Sequence, residues 1–408
     1  MKKLLASLLL AAVATTLWAV DYGNSPHHPF LTQVYDYKPA PGQFVNVLPT
    51  YNAGEPFDSV LSRCREALCG HIDTTTVEFN DEILTRIDTT LLPSMITLGA
   101  YGGYVIVGFD HPVANNHTYD FEIFGNAFVS NQDSHGGSCE PGIVMVSRDV
   151  NGNGLPDDPW YELAGSEYNN PRTQHNYALT YYKPTDSNVS PNETNYIRWT
   201  SNDALNPDST SGYVAKNQFH NQSYWPQWIT ADTLTFTGAK LPCNAINKGT
   251  TTQYWVQYFF DYGYVDNLPN NPKLAGNASA GDDYNTGLYN PGFKLDWAVD
   301  ADGTPVSLKK IDFIKIYNAE NQQCGWLGET STEVAGGIDI HPKAAEPQEL
   351  MGDANDDGKV DVADVTTTVS HMLSQRVAKF NPVQADVTAN GKIDVADVTA
   401  TVAIMLAK

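Results

Sequence analysis

Basic residues are scarce in this chain. Of its 408 residues, 24 are Lys or Arg and 47 are Asp or Glu, a formal net charge of −23 at neutral pH. That surplus of carboxylate repels phosphate, which argues against nucleic acid and anionic membrane as partners and leaves cations and neutral glycans. Cysteine is sparse too. Cys64, Cys69, Cys139, Cys243 and Cys324 are too few and scattered for a disulfide scaffold, and an odd count leaves at least one thiol free. No CxxC pair or Cys/His cluster has zinc spacing. Beyond the N-terminal stretch, no apolar run approaches the ~20 residues of a membrane span. There is no GxSxG, no HExxH and no protease-type Cys/His frame, so no local motif marks a nucleophile.

What the chain does carry is one motif written twice near its end. GDANDDGKVDVADVTTTVSHML is followed by QADVTANGKIDVADVTATVAIML. The first copy places Asp353, Asn355, Asp357, Asp361 and Asp364 at loop positions 1, 3, 5, 9 and 12, with Gly358 at the sharp turn of position 6. Lys359, at position 7, offers only its backbone carbonyl. A hard cation with six or more oxygens on a pliable loop is calcium. The second copy offers Asp386, Thr388, Asn390, Asp394 and Asp397, the Lys392 carbonyl and Gly391 at the turn; with one carboxylate fewer, it is expected to bind more weakly. Each loop leads into a helix with apolar residues at helical spacing: Val365, Val369 and Met372, then Val398, Val402 and Met405. One such unit cannot bury its stripe alone, whereas two related by an approximate twofold can.

With Asp in place of a bidentate Glu at position 12, and no helix before either loop, residues 351–408 resemble a type I dockerin. That resemblance implies docking of a secreted protein onto a cohesin-like partner or surface anchor. In dockerins, loop positions 10 and 11 help choose the partner; here they are Val362 and Ala363, then Val395 and Ala396.

At the other end, residues 1–19 combine two lysines, the apolar run LLASLLLAAVATTLWA and small residues, the pattern of a secretory signal peptide. The expected location is therefore secreted or at a bacterial cell surface. Residues 20–94 read as an extended, proline- and aromatic-rich segment followed by one helix, FDSVLSRCREAL, packed on a larger domain. Residues 95–340 change to short β-rich runs separated by Gly, Pro, Asn and Asp. The strands are YVIVGF, YDFEIFG, GIVMVSR, WYELAG, YALTYYK, YIRW, LTFTG, QYWVQYFFDYGYV, FKLDWAV and DFIKIYN. The expected fold is mainly β, a large antiparallel β-sandwich, followed by a linker at 341–350 and the small all-α module.

Within that sandwich, Asp149, Asn151, Asn153 and Gly154 match positions 1, 3, 5 and 6 of a calcium loop; Leu155 stands at the carbonyl position, and Asp157 and Asp158 at 9 and 10. Trp160 occupies position 12, so the last ligand must come from Glu162 or elsewhere. The frame around this loop, a strand ending in Val-Ser and a return strand opening Trp-Tyr-Glu-Leu, is similar to a hairpin of galactose-binding-like (discoidin-type, jelly-roll) modules. The runs LGAYGGYVIVGFD, YDFEIFGNAF and EPGIVMVS resemble secreted surface proteins of Bacteroidetes.

Trp225 and Trp228, in the amide-rich stretch NQFHNQSYWPQW, are the candidates for stacking on sugar rings, with GDDYNTG as a further polar rim; Trp160, Trp255 and Trp297 are assigned to the core. Loop histidines His111, His117 and His135 read as solvated. The leading functional expectation is a calcium-dependent, carbohydrate-binding protein attached to an assembly or surface. The runner-up is a dockerin-bearing glycoside hydrolase or lyase using two of Asp110, Asp120, Glu122, Glu140 and Asp296 across a cleft. A third reading is capture of a small molecule such as a cofactor.

Overall fold

The computed structural model describes residues 27–69, 95–130, 133–185, 193–271 and 288–407. The expected leader and the GDDYNTG rim lie outside the described residues. The chain is mainly β, as expected, with short helices at its C-terminus. Its central sheet has seven strands. In spatial order they are Gln33–Lys38, Tyr104–Gly108, Phe313–Asn318, Gly142–Ser147, Trp160–Leu163 and Ala298–Val299, with Tyr264–Val265 also pairing Gly142–Ser147. All neighbours are antiparallel.

The central runs YVIVG, GIVMVS and FIKIYN are almost continuously apolar, which suits strands covered on both faces. One face carries Val105, Val107, Val144, Val146, Ile314 and Ile316. They join a core with Phe121, Ile123 and Phe293 and with Val60, Cys64 and Leu68 of helix α1 (Phe57–Cys69). The opposite face presents Tyr104, Met145, Ile143 and Tyr317 to Ala239, Leu241 and Tyr264. There a second sheet closes over it, in the order Ser211–Val214, Ile197–Ser201, Gln174–Tyr182 and Thr233–Lys240. The Ala239 amide donates to the Tyr317 hydroxyl at 2.9 Å, joining the two sheets. Gly102, at φ +86°, is where Phe236 of the second sheet lies against the backbone, a spot any side chain would fill.

Several boundaries differ from the expected ones. Gln33–Lys38, read as an extended segment laid over the domain, is an edge strand of the central sheet, paired with Tyr104–Gly108. The single run QYWVQYFFDYGYV divides into Trp255–Tyr258 and Tyr264–Val265, which enter different sheets either side of Gly263 at φ +88°. FKLDWAV is not one strand: a 3₁₀ turn, Leu295–Trp297, interrupts it before the short strand Ala298–Val299. Trp160, Trp255 and Trp297 are half-buried rather than fully interior. All five cysteines are free thiols.

Carboxylic acids are buried in this body. Asp266, Glu320, Glu329 and Glu333 are each at most 3% exposed. Carboxyl oxygens of Glu140, Asp266 and Glu333 lie within 4.8 Å of one another. Burial, and then mutual repulsion, pushes Asp266 and Glu333 above the usual carboxylate range, and burial does the same for Glu140. This cluster therefore carries protons where a solvated one would not. The five carboxylates considered for hydrolysis each have a local partner: Asp110 meets His111, Asp120 accepts from the Leu295 and Asn116 amides, Glu122 from the Asn271 amide, Asp296 meets His117, and Glu140 belongs to the cluster.

Glu329 makes the consequence measurable. Burial raises it from 4.5 to about 8; one oxygen accepts from the Gln43 amide, while Oε2 has no hydrogen-bond partner. The folded chain keeps a proton that the unfolded chain releases near pH 4.5, so stability falls as pH rises from about 4.5 to about 8 and then levels off. In saturating calcium, the thermal midpoint is expected to be several degrees higher at pH 6 than at pH 8.5. Glu329→Gln should narrow that gap; an unchanged gap in the variant contradicts this assignment.

Candidate calcium centres

The tail consists of two loops and three helices: α2 (Val362–Met372), α3 (Pro382–Ala385) and α4 (Val395–Leu406). In the first loop, the Asp353 carboxylate is completely buried. It accepts from the Asp357 amide at 2.9 Å through Oδ1 and from the Gly358 amide at 2.8 Å through Oδ2. Asn355 Oδ1 also takes the Asp357 amide, at 3.0 Å, and Asp357 Oδ1 takes the Lys359 amide, at 3.0 Å. Asp364 closes the ring by accepting from the Asn355 amide at 3.1 Å and the Asp361 amide at 2.8 Å. Asp361 caps α2 by accepting from the Ala363 amide at 2.7 Å, so one carboxylate serves both loop and helix start.

The second loop repeats these bonds. Asp386 accepts from the Asn390 and Gly391 amides at 3.1 and 2.7 Å, Asn390 from the Lys392 amide at 2.9 Å, and Asp397 from the Thr388 and Asp394 amides at 3.0 and 2.9 Å. Asp394 caps α4 through the Ala396 amide, and the Thr388 hydroxyl donates to Asp397 at 2.9 Å. Burial raises the pKa of both Asp353 and Asp386, and the facing carboxylates, Asp364 and Asp397 respectively, raise it further. Each loop thus gathers charge that it cannot neutralise by itself.

The body's own loop has the same inner wiring. Asp149 accepts from the Asn153 and Gly154 amides at 3.1 and 2.9 Å; Asn151 accepts from the Asn153 amide and Asn153 from the Leu155 amide, at 3.0 and 2.7 Å. All three loops turn through positive φ at positions 4 and 6: Asp356 and Gly358, Ala389 and Gly391, Gly152 and Gly154. The closing residue is Asp158, which accepts from the Val150 amide at 3.1 Å and the Asn151 amide, as Asp364 does for the amide of position 3. Glu162, considered for that role, instead lies on the return strand, raised to about 7 by burial. Asp157 accepts from the side-chain amides of Asn151 and Asn153 at 3.1 to 3.2 Å.

Val362 and Val395 are each 67% exposed, with Ala363 and Ala396 beside them, so all four partner-docking positions face outward. Val369 and Val402, expected to be covered between the two helices, are exposed too, as are Leu373 and Leu406. Every member of this apolar stripe recurs 33 residues later, a repeat legible in the sequence as Val-x₆-Val-x₃-Leu. Trp225 is 2% exposed in a core with Tyr196 and Tyr224, and Trp228 packs among Tyr37, Tyr51 and Phe57. Neither is the open platform expected. The exposed aromatic pair is instead Trp326 and Phe219, at 54% and 63% exposure, with their rings edge to face 6.4 Å apart.

The tail rests on the body. Asp356 meets Lys309 and Lys379 at 3.1 and 2.7 Å and accepts from the Ser307 hydroxyl at 2.9 Å. Val383 enters the main core, and a side chain on Gly391 would touch Pro159, at the end of the body's loop. The segment read as a linker is pinned as well: Glu346 pairs with Lys310 and Glu349 with Arg148.

Residues 351–401 match the family model of the dockerin type I domain. Compared with curated proteins, the chain has no match. Type I dockerin domains bind calcium and cohesins, and proteins that carry them are generally extracellular or at the cell surface. Among the described residues no helix is long and apolar enough to cross a membrane.

Replacing Asp353 and Asp364 together by Ala is expected to remove about half of the calcium-induced gain of helix signal in circular dichroism, because the first loop and α2 lose their shared ligands while the second loop and α4 keep theirs. Full helix content of the unaltered chain in chelator contradicts calcium-dependent folding of the tail.

Proposed function

We propose that the chain is a secreted, calcium-loaded component of a cohesin-bearing assembly, with the tail as attachment device and the β-rich body as carbohydrate-binding cargo. The observation that carries the attachment is the outer face of α2 and α4. Val362, Val369 and Leu373 are repeated by Val395, Val402 and Leu406, an exposed apolar stripe on each half of a duplicated module. Exposed apolar surface in contiguous patches marks an interface, and the duplication offers two equivalent ones. Asp353, Asn355, Asp357, Asp361 and Asp364, with the Lys359 carbonyl, would hold one calcium. Asp386, Thr388, Asn390, Asp394 and Asp397, with the Lys392 carbonyl, would hold a second. Asp149, Asn151, Asn153, Asp157 and Asp158, with the Leu155 carbonyl, would brace the body's hairpin around a third.

Attachment is tested by titrating the chain with a panel of cohesin domains in calcium and in chelator. Binding should require calcium, and Val362→Glu with Val395→Glu should weaken it by at least about tenfold, since each places a charge within an apolar contact, at its most exposed valine. Binding that survives both chelator and the double variant contradicts the docking role.

Carbohydrate binding is supported by Trp326 and Phe219. Both rings stand in solvent beside side-chain amides: Asn217 donates to the Trp326 carbonyl at 2.7 Å, and Gln253 accepts the Trp326 amide at 3.3 Å. Rings offer a stacking face to the C–H side of a sugar. The chain is expected to be retained on insoluble polysaccharide without releasing sugars, and Trp326→Ala with Phe219→Ala should abolish retention. Released sugars would instead favour the hydrolase or lyase.

A further inference from the structure

At the edge where the N-terminal segment meets the body, His27, Asp110 and His111 come together. One ligand atom of each lies within 4.8 Å of the other two, the spacing of donors around one metal ion. His27 is distant in sequence from the adjacent pair Asp110 and His111, and all three lie outside every calcium loop. We propose that they form a binding site for a zinc-type, first-row divalent cation.

His111 is held through both ring nitrogens. Its Nε2 lies 2.8 Å from Asp339 Oδ2, and Asp339 is 2% exposed. A carboxylate only accepts, so Nε2 carries the proton and donates it. That leaves Nδ1, which lies 2.6 Å from Asp110 Oδ1. At that distance the pair is a direct hydrogen bond, closed by a proton on Nδ1; a metal ion would take that proton's place, with the two ligand atoms moving apart to about 3 Å. An imidazole with one nitrogen donating to a buried carboxylate and the other turned to a second donor is the usual arrangement of a metal-ligating histidine, the carboxylate fixing tautomer and ring plane.

The neighbours serve the same geometry. The His28 amide lies 3.2 Å from both oxygens of Asp110 and holds that carboxylate toward His111. A His27 nitrogen lies within the 4.8 Å set; its ring now stacks on that of His111, centroids 4.5 Å apart, and would turn at its partly exposed position to point its lone pair at the ion. His28 itself stands beside Asp110 and His111, and its Nε2 is buried with no hydrogen-bond partner. Asp110 is exposed, so an ion has a route in, and three protein donors leave positions open to water. Two imidazoles and one carboxylate favour zinc, copper or nickel over calcium, which takes oxygen alone. The Glu140, Asp266 and Glu333 cluster, by contrast, offers only oxygen, with Asp266 and Glu333 buried.

The test is equilibrium dialysis of the full chain against low-micromolar zinc, in saturating calcium so that the loops are occupied. One zinc per chain is expected to be retained. His27→Ala, which alters a partly exposed side chain, should weaken retention by about tenfold or more. Cobalt bound in place of zinc should show the visible bands of a nitrogen-ligated low-symmetry site, and these should be lost in the same variant. His111→Gln should lose both signals, with unfolding followed in parallel to separate metal loss from misfolding. No retained zinc, or equal retention and unchanged cobalt bands in His27→Ala, would overturn the proposal.

Discussion

A carboxylate taken out of water needs a cation or a proton, and this chain meets that requirement in both ways. In its loops, Asp353, Asp364, Asp386 and Asp397 converge, nearly or fully buried, on backbone amides that neutralise them only in part. Amides orient the oxygens; the remaining charge calls for a metal ion. In the body, Glu140, Asp266 and Glu333 crowd together without a pliable loop around them, and protons take the place of the cation. An acidic composition therefore gives two kinds of site, separated by whether the backbone can wrap an ion.

The same logic fixes the tail on the body. Scarce cations sit where acidic segments meet: Lys309 of the body on Asp356 of the tail, which the tail's own Lys379 also meets, and Arg148 and Lys310 of the body on Glu349 and Glu346 of the connecting segment. Asp356, at position 4 of the first loop, is not among that loop's ligand positions, so its side chain is free to anchor the tail while the loop holds its ion. The exposed stripes on α2 and α4 stay open, which is what an attachment module packed against its cargo must preserve.

Much of this was legible in the sequence because it depends on local spacing. Ligand positions, turn glycines and helix starts follow from residues within a dozen of one another, and the apolar strand runs announce themselves. What depends on distant packing was not. Gln33–Lys38 has no clear alternation, since an edge strand is held by Tyr104–Gly108 and by the core under Tyr37. Trp225 looked exposed in an amide-rich stretch, yet those amides satisfy buried backbone groups, as Gln222 does by donating to the Gln43 carbonyl. Trp326, flanked by Gly325 and Gly328 in a short turn, carried the better signal of an exposed ring. The closing role of Asp158 was less legible: the spacing puts it at position 10 and sends the last ligand to Glu162, but this loop runs into a strand rather than a helix and Asp158 takes the closing contacts. His27 and His111 come together only once the N-terminal segment lies along the body.

The most direct test of this account is the number of calcium ions the intact chain binds. Equilibrium dialysis should find three per chain, falling to two when Asp149 and Asp158 are replaced by Ala and to one when Asp353 and Asp364 are replaced as well. Two in the unaltered chain would mean that the body's loop holds itself together through its asparagines and glycines alone. None would contradict the claim that convergent carboxylates in this chain are built around metal ions.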